Sequence, residues 1–371
     1  MEQRRRTLEV LVLNAFGGAY RGRRVLVTGH TGFKGSWLCL WLHMLGADVI
    51  GLGLDPPSES SHWTQLQLPI RDHRIDVRDE AAVRDLVTTE QPEVVFHLAA
   101  QPLVRRSYRE PVTTWATNVM GAAHVIESVR HTPQVRAVVV VTSDKCYENR
   151  EWWWPYRERD PLGGHDPYSA SKAGVEFVAA SYRAAFLQHP SAPLLATARA
   201  GNVVGGGDWS EDRLIPDLAR SILAGRPLVI RAPRATRPWQ HVLDCLSGYL
   251  LLGRRLLDGD AACADAWNFG PDGEGNHTVE EVLRELALTW PQLRWQLATG
   301  PEPHEAGLLQ LDIARAKMRL GWHPVWGFEH TLQHTAQWYR RFIEVGEVPS
   351  ADQLSAYVAD AAHSGLAWAT G

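Results

Sequence analysis

The run Val25-Leu-Val-Thr28 leads directly into Gly29-His-Thr-Gly32-Phe-Lys-Gly35, and the residues after it are largely apolar through Leu45. A strand that enters a glycine-punctuated turn and leaves as a helix restricts a chain to few folds. Gly29 lets the backbone turn where a Cβ would obstruct it. Gly32 lets backbone come close to a phosphate, and Gly35 lets the helix pack closely on the strand. The start of the helix then offers unpaired N–H groups and the positive end of its dipole to an anion. The turn therefore reads as a dinucleotide site lined by Gly29, Thr31, Gly32, Phe33, Lys34 and Gly35. Its Gly-x-x-Gly-x-x-Gly spacing differs from the commonest fingerprint, Gly-x-Gly-x-x-Gly, so the reading draws on the rest of the chain as well.

A second apolar run, 49–54, ends in Asp55. A carboxylate about 20 residues past the glycine turn accepts bonds from the adenosine ribose hydroxyls and repels a 2′-phosphate, which favours NAD over NADP. Asp55 also opens an Asp-Pro-Pro turn, and His30 and Lys34 lie near enough to the phosphates to soften that preference. Strands at 25–28, 49–54, 74–76, 94–98, 137–142 and 194–199 alternate with helices near 32–45, 80–89, 112–131 and 168–188. This alternation predicts an α/β, Rossmann-type, doubly wound parallel sheet followed by a smaller C-terminal α/β lobe. Asp76 and Val77 end the third strand where an adenine would lie, although Asp76 also suits a plain turn and Asp79 an N-cap. Leu98, Ala99 and Ala100 give the fourth strand a small-residue end across which a cofactor fits, and His97 reads as a core histidine.

At 371 residues, 45% of them hydrophobic, the chain is long for one lobe and comfortable for two. The expected division is an N-terminal extension at 1–22 and a nucleotide domain at 23–201, with later segments returning to it. A mainly substrate-binding domain at 202–345, where glycine and proline rise, and a loosely held helix or tail at 346–371 complete it. A net charge of −4 with interspersed signs offers no basic face for nucleic acid, and no apolar run is long enough to span a bilayer. Cys39, Cys146, Cys245 and Cys263 have neither metal-ligand nor disulfide spacing, so no metal site is expected and a reducing cytoplasm is. Glu9 and Asn14 interrupt the first apolar run, which reads as a cytosolic helix packing on the lobe or on another subunit rather than as a leader.

Polar chemistry concentrates between 139 and 172. The apolar strand 138–141 delivers Thr142, Ser143, Asp144 and Lys145 to the carboxyl edge of the sheet, where open α/β folds bind their ligands. Tyr168-Ser-Ala-Ser-Lys172 then opens a helix with Tyr168 and Lys172 one turn apart on one face. There the ammonium can draw down the phenol's pKa and hold the nicotinamide ribose, so that Tyr168 serves as a base.

These motifs together resemble the extended short-chain dehydrogenase/reductase superfamily of nucleotide-sugar enzymes. More narrowly, 28–38, 97–105, 142–149, 160–172, 200–209 and 237–243 resemble the CDP-glucose 4,6-dehydratases, a match running from about Gly22 to about Glu344. The resemblance implies tightly held NAD and an internal redox cycle with CDP-glucose as the expected partner. Tyr168 would take the proton of the sugar 4-hydroxyl, with Ser143 or Thr142 bonded to the same oxygen. Asp144 would protonate the departing 6-hydroxyl. Lys145 stands where the related dTDP-glucose enzymes carry a Glu base, and would either remove the C5 proton or stabilise the enolate. Asn202, the glycine run 205–207, Gln101 and above all Arg237 are expected on the substrate, Arg237 because a guanidinium fork matches a pyrophosphate. Trp239 and Trp152-Trp-Trp154 read as cover for the sugar, a subunit contact, or packing anchors. The family also implies a homodimer or dimer of dimers through a four-helix bundle built from 112–131 and 168–188. Another nucleotide-sugar enzyme of the same superfamily, a 4-epimerase or a 4,6-dehydratase with a different base, and a non-catalytic NAD-binding protein are the other readings, and Asp144 argues against the epimerase, since epimerisation needs no leaving-group acid.

Overall fold

The computed structural model describes residues 2–56, 58–230, 232–272, 276–298 and 308–370. Its centre is a seven-stranded, all-parallel sheet of β1 (Arg24–Thr28), β2 (Asp48–Gly53), β3 (Arg71–Arg74), β4 (Val94–His97), β5 (Ala137–Val141), β6 (Leu194–Ala200) and β10 (Ala266–Phe269). The order is β10-β6-β5-β4-β1-β2-β3, so the winding reverses between β1 and β4, and the ends of those strands frame the crevice where such sheets take ligands. Val25, Leu26 and Val27 are fully buried, as are Val138, Val139 and Val140 of β5, which is why these strands read as unbroken apolar runs.

Helices α2 (Phe33–Met44), α4 (Glu80–Glu90), α5 (Val104–Arg109), α6 (Pro111–Trp115), α7 (Gly121–Arg130), α8 (Pro167–Ala185) and α10 (Val242–Leu257) lie against this sheet or one another. Asp79 caps α4 by accepting from Ala82 N at 3.1 Å, and Asp166 caps α8 through Ser169 N at 3.0 Å. A π-helical turn, Ala116–Met120, links α6 to α7. The smaller part holds β7 (Asn202–Val204), β9 (Thr236–His241) and β11 (Asn276–Thr278) in one sheet, and β8 (Leu228–Ile230) with β12 (Trp295–Leu297) in another. With them are α9 (Leu214–Leu223), α11 (Val279–Thr289) and α12 (Phe328–Val345).

Three expectations change. The third strand lies at Arg71–Arg74 rather than 74–76, because its charged, alternately exposed sequence carries no apolar signal. Ala266–Phe269, from far along the chain, supplies a seventh strand beside β6. The segment after Pro349 is not loosely held: α13 (Ser350–His363) and α14 (Ala367–Thr370) bury Leu354, Tyr357, Val358 and Trp368. The Trp368 ring stacks on Phe16, centroids 4.9 Å apart, and contacts Trp41 at 6.0 Å. The N-terminal helix α1 (Glu2–Asn14) packs on α13 and α14, so the two ends of the chain share one layer.

His62, in the short helix α3 (His62–Leu66), ties this layer to α2. Ser36 Oγ donates to the Phe33 carbonyl, so His62 Nδ1–H donates to Ser36 at 2.8 Å, while Nε2 accepts from Ser350 Oγ at 2.8 Å. Both bonds use the neutral ring, and burial lowers the pKa of His62 from 6.5 to about 3. The unfolded chain binds a proton at this histidine below 6.5 and the folded chain does not until about 3, so stability falls with pH through that window, by about 1.4 kcal/mol per unit at most. His62→Gln is expected to lower the urea midpoint at neutral pH and to flatten its decline toward pH of about 5, measured by fluorescence-detected unfolding.

Candidate active site

The glycine turn joins β1 to α2 with little room to spare. Gly29 has φ +71°, and a Cβ there would lie 2.8 Å from Ala99 Cα. A Cβ on Gly35 would come within 2.1 Å of the Gly29 carbonyl oxygen, so both glycines are fixed by close approach. Gly32 is the N-cap of α2, and among the described residues no side chain caps that helix. The first-turn N–H groups thus face the crevice between β1 and β4 without a side-chain acceptor, an arrangement that fits a pyrophosphate. Thr31 is buried, while Phe33 and Lys34 open the helix half-buried.

The Thr28 hydroxyl accepts from Leu98 N and Ala99 N, both at 3.1 Å, and bonds His97 Nδ1 at 2.8 Å. It thereby holds Leu98, Ala99 and Ala100 at the end of β4, across from the turn. His97 is a buried core histidine whose pKa burial and the Lys172 charge lower to about 3. Asp55 follows β2 with a carboxylate 91% exposed, 3.7 Å from Arg74 Nε, a cation that weakens its rejection of a 2′-phosphate. Asp76 accepts from the Arg78 guanidinium with both oxygens, at 2.6 to 3.0 Å. Val77 is buried against Gly121, and its carbonyl bonds His124 Nδ1 at 2.9 Å.

His30 does not bear on cofactor choice as expected. Its ring is buried over Gly51 and Gly53, bonds Asp72 Oδ1 at 2.7 Å and meets Trp63 edge-on, facing the sheet. Lys34 turns toward α10, with Nζ 5.9 Å from the Tyr249 ring centroid, and its charge reaches Lys172.

At the end of β5 the chain turns through Asp144–Cys146, and Ser143 Oγ donates to Asp144 Oδ1 at 2.8 Å. Asp144 is only 4% exposed, and its Oδ2 would lie 3.1 Å from a Cβ at Gly201. A side chain at Gly201, between β6 and β7, would crowd the carboxyl and push it aside by a few tenths of an ångström. Lys145, half-buried, follows it with its backbone N–H bonded to Ser143 Oγ at 3.2 Å.

Tyr168 and Lys172 are both buried on α8. Burial pushes the Tyr168 phenol up to about 12, Ser143 and Arg213 draw it down, and Asp144 and Asp166 push it up. Lys172 Nζ donates to the Val141 carbonyl at 3.3 Å, and burial, then Lys34, bring its pKa down to about 8. Arg213 is one of the groups whose charge draws the Tyr168 phenol down. It stands before α9, donates to Asp208 Oδ2 at 3.0 Å, and carries no signature in the sequence beyond its charge.

Two expected residues are used elsewhere. Thr142 Oγ1 donates to Glu176 Oε1 at 2.5 Å, inside a buried cluster where Glu176 Oε2 accepts from Thr197 Oγ1 at 2.7 Å and Arg199 at 2.8 Å. Gln101 bonds Leu103 through its amide N–H and carbonyl, and Thr114 Oγ1 at 2.9 Å, and so shapes its loop. Asn118, in the π-helical turn, fixes that loop to α8 by bonding the Gln101 backbone and Ser171 Oγ. Asn202 opens β7 opposite Trp239, and Arg237, half-buried on β9, bonds the Thr236 carbonyl at 2.8 Å. Trp239 is a buried anchor bonded to the His277 carbonyl. Trp152 stacks on Tyr156, while Trp153 and Trp154 are exposed.

The sequence profile of the NAD dependent epimerase/dehydratase family matches residues 25–268. This chain belongs to that family. A CDP-glucose 4,6-dehydratase of Salmonella typhimurium is 47% identical over 333 residues, which cover 87% of this chain and 92% of the relative. An epimerase of Methanothermobacter thermautotrophicus has the same fold, with a TM-score of 0.78 at 26% identity over 90% of this chain and 97% of its own. A dTDP-glucose 4,6-dehydratase of Streptomyces venezuelae, solved with NAD bound, gives 0.72 at 26% identity over 86% and 97%. NAD is therefore the cofactor of this family member, and the uncapped α2 and the glycine turn fit it.

Ser143→Ala is expected to lower kcat about a hundredfold while leaving the unfolding midpoint nearly unchanged. Thr142→Val is expected to do the opposite, costing about 1 kcal/mol of stability with little effect on kcat, as steady-state kinetics and denaturant titration of the two variants would report.

Proposed function

We propose that this chain converts CDP-glucose to CDP-4-keto-6-deoxyglucose with no net redox change. The observation that carries the reading is Asp144, a buried carboxyl held by Ser143 beside the Tyr168 phenol. A dehydrogenation site with its own acid suits elimination, whereas a 4-epimerase has no leaving group to protonate. The Salmonella relative supports the cytidine nucleotide. NAD supplies a hydride store, filled from sugar C4 and emptied at C6.

Tyr168 takes the 4-hydroxyl proton, and Ser143 bonds the same oxygen as it becomes a carbonyl. The ketone acidifies the C5 hydrogen, which Lys145 removes, or whose enolate it stabilises. Asp144 gives its proton to the C6 hydroxyl as water leaves. Lys172 orients the nicotinamide ribose. Arg237, Asn202 and the backbone of 205–207, in the lobe formed mainly by 202–345, hold the pyrophosphate, Arg237 by its bidentate fork.

Mass spectrometry of the protein incubated with NAD and, separately, CDP-glucose, dTDP-, UDP- and GDP-sugars tests this. Loss of water from CDP-glucose is expected, abolished in Tyr168→Phe. In Asp144→Asn water loss is expected to stop while reduced nicotinamide accumulates, because oxidation at C4 needs no acid. A change of sugar configuration without water loss would favour the epimerase instead.

We also infer a homodimer, alone or paired into a tetramer, working in the cytoplasm. Val112, Trp115 and Met120 on one side, and Phe177 on α8 with Phe186 just after its end on the other, are exposed apolar residues on adjoining elements, with Val112 80% and Phe177 60% exposed. Such a patch suits a four-helix bundle. Phe177→Asp is expected to shift the sedimentation coefficient toward the monomer at micromolar protein. The four buried free thiols are consistent with a reducing compartment.

A further inference from the structure

The two oxygens of Asp144 meet different neighbours. Ser143 Oγ donates to Oδ1 at 2.8 Å, and among the described residues no hydrogen bond ends on Oδ2. Oδ2 is therefore the oxygen free to carry a proton and hand it on. What lies against it is bare backbone. A Cβ on Gly201 would stand 3.1 Å from Oδ2, 3.7 Å from the carboxyl carbon and 3.1 Å from Pro238 Cγ, where ordinary contact begins near 3.4 Å. The φ of Gly201 is not in the left-handed region, so its backbone does not call for glycine; its neighbours do.

The topology gives this close contact a purpose. β6 ends at Ala200 in the large sheet and β7 begins at Asn202 in the small one, so Gly201 is the link between the two sheets. β7 pairs with β9 in parallel from Asn202 and Trp239 onward, which sets Gly201 level with Pro238, one step back on each strand. Their neighbours in sequence, Asn202 and Arg237, are the residues read above as holding the pyrophosphate. In a glucosyl pyrophosphate, the carbon that bears the phosphate and the carbon that bears C6 flank the ring oxygen. A sugar held by its pyrophosphate at Asn202 and Arg237 therefore carries C6 toward Gly201 and Pro238, the side on which Oδ2 lies.

We propose that Gly201 is a positioning residue for the acid step: having no side chain beside Pro238, it lets Asp144 Oδ2 face the C6 hydroxyl, and so governs water loss without governing oxidation at C4. The inference rests on the reading of Asp144 as the acid. Oxidation at C4 belongs to Tyr168 and Ser143, whereas the three atoms nearest the missing Cβ all belong to Asp144 and Pro238. A methyl at this place displaces the carboxyl by a few tenths of an ångström. Proton transfer depends on placement at that scale.

The test compares Gly201→Ala with Gly270→Ala. Gly270 is level with Gly201 on the adjoining strand, one step past the pair of Phe269 and Ala200. A Cβ there meets Ile313 Cγ2 at 3.6 Å and Leu311 Cβ at 3.7 Å, both ordinary contacts, so this variant controls for an added methyl. With NAD and CDP-glucose, Gly201→Ala is expected to lose water roughly tenfold more slowly while reduced nicotinamide builds up, a milder form of the behaviour of Asp144→Asn. CDP-xylose, which lacks C6, can only be oxidised at C4, giving the 4-ketopentose and reduced nicotinamide. On it, Gly201→Ala is expected to match the wild type in a single turnover. Gly270→Ala is expected to match the wild type on both sugars. Infrared difference spectra need no turnover: the carboxyl band that vanishes in Asp144→Asn is expected to shift in Gly201→Ala and to hold its place in Gly270→Ala. An unshifted band, water loss at the wild-type rate, or equal slowing on both sugars overturns the proposal. A wild-type protein that neither oxidises nor dehydrates a nucleotide sugar overturns the functional reading instead, and the infrared band then decides on Gly201 alone.

Discussion

The buried pair of Glu176 and Arg199 is what the catalytic edge stands on. Glu176 sits one turn beyond Lys172 on α8, Arg199 lies on β6, and both are almost fully enclosed at 2.8 Å separation. Burial works to raise the Glu176 pKa, but Arg199 and the two threonine hydroxyls hold it below the usual carboxylate value. Such a pair contributes little as a bond in itself, yet removing one partner strands a buried charge, at a cost of about 3–5 kcal/mol. The cluster is bonded from several directions, although Arg199 Nε is buried without a partner. Arg199 also donates to Tyr147 Oη, Tyr147 to Asn268 Oδ1, and Asn268 to the carbonyls of Tyr156 and Asp312. One charge pair therefore registers the Tyr168 helix against β5, β6 and β10 at once.

That registration explains the division of labour at the end of β5. Thr142 faces down into the charged cluster and Ser143 faces up to Asp144 and the phenol, since successive side chains on a strand alternate. Adjacent hydroxyls, either of which suits the chemistry on paper, have separate duties. Glycine works the same way around them: Gly29, Gly35 and Gly201 sit where other groups come within contact distance, and the space they leave belongs to the dinucleotide turn in one case and a carboxyl in the other.

Much of the sheet was legible because parallel strands buried on both faces must be continuously apolar, and the glycine turn because close backbone approach leaves no alternative residue. β3 was misplaced because an edge strand reading Arg-Asp-His-Arg has no such constraint. α13 is helical and firmly packed, but Tyr357 and Trp368 reveal their burial only once Phe16 and Trp41 are in place beside them. Among the site residues, those named by short-range pattern, Ser143, Asp144, Tyr168 and Lys172, do converge at one edge. Gln101 and His30 carry the same chemistry in sequence yet bond within their own loop and sheet, and Arg213 bears on the Tyr168 pKa from 45 positions away, through a fold in the chain that no local spacing encodes.

The seat of Gly206 on Trp338, and the bond from Tyr339 to the Asp208 carbonyl across 131 positions, put the floor of the 205–210 segment in a helix far along the chain. The turn between β1 and α2 stands on other ground, its close contacts being with Ala99 and with its own backbone. A substitution that unseats either ring therefore loosens 205–210 and leaves the dinucleotide turn in place, so cradle and floor fail separately.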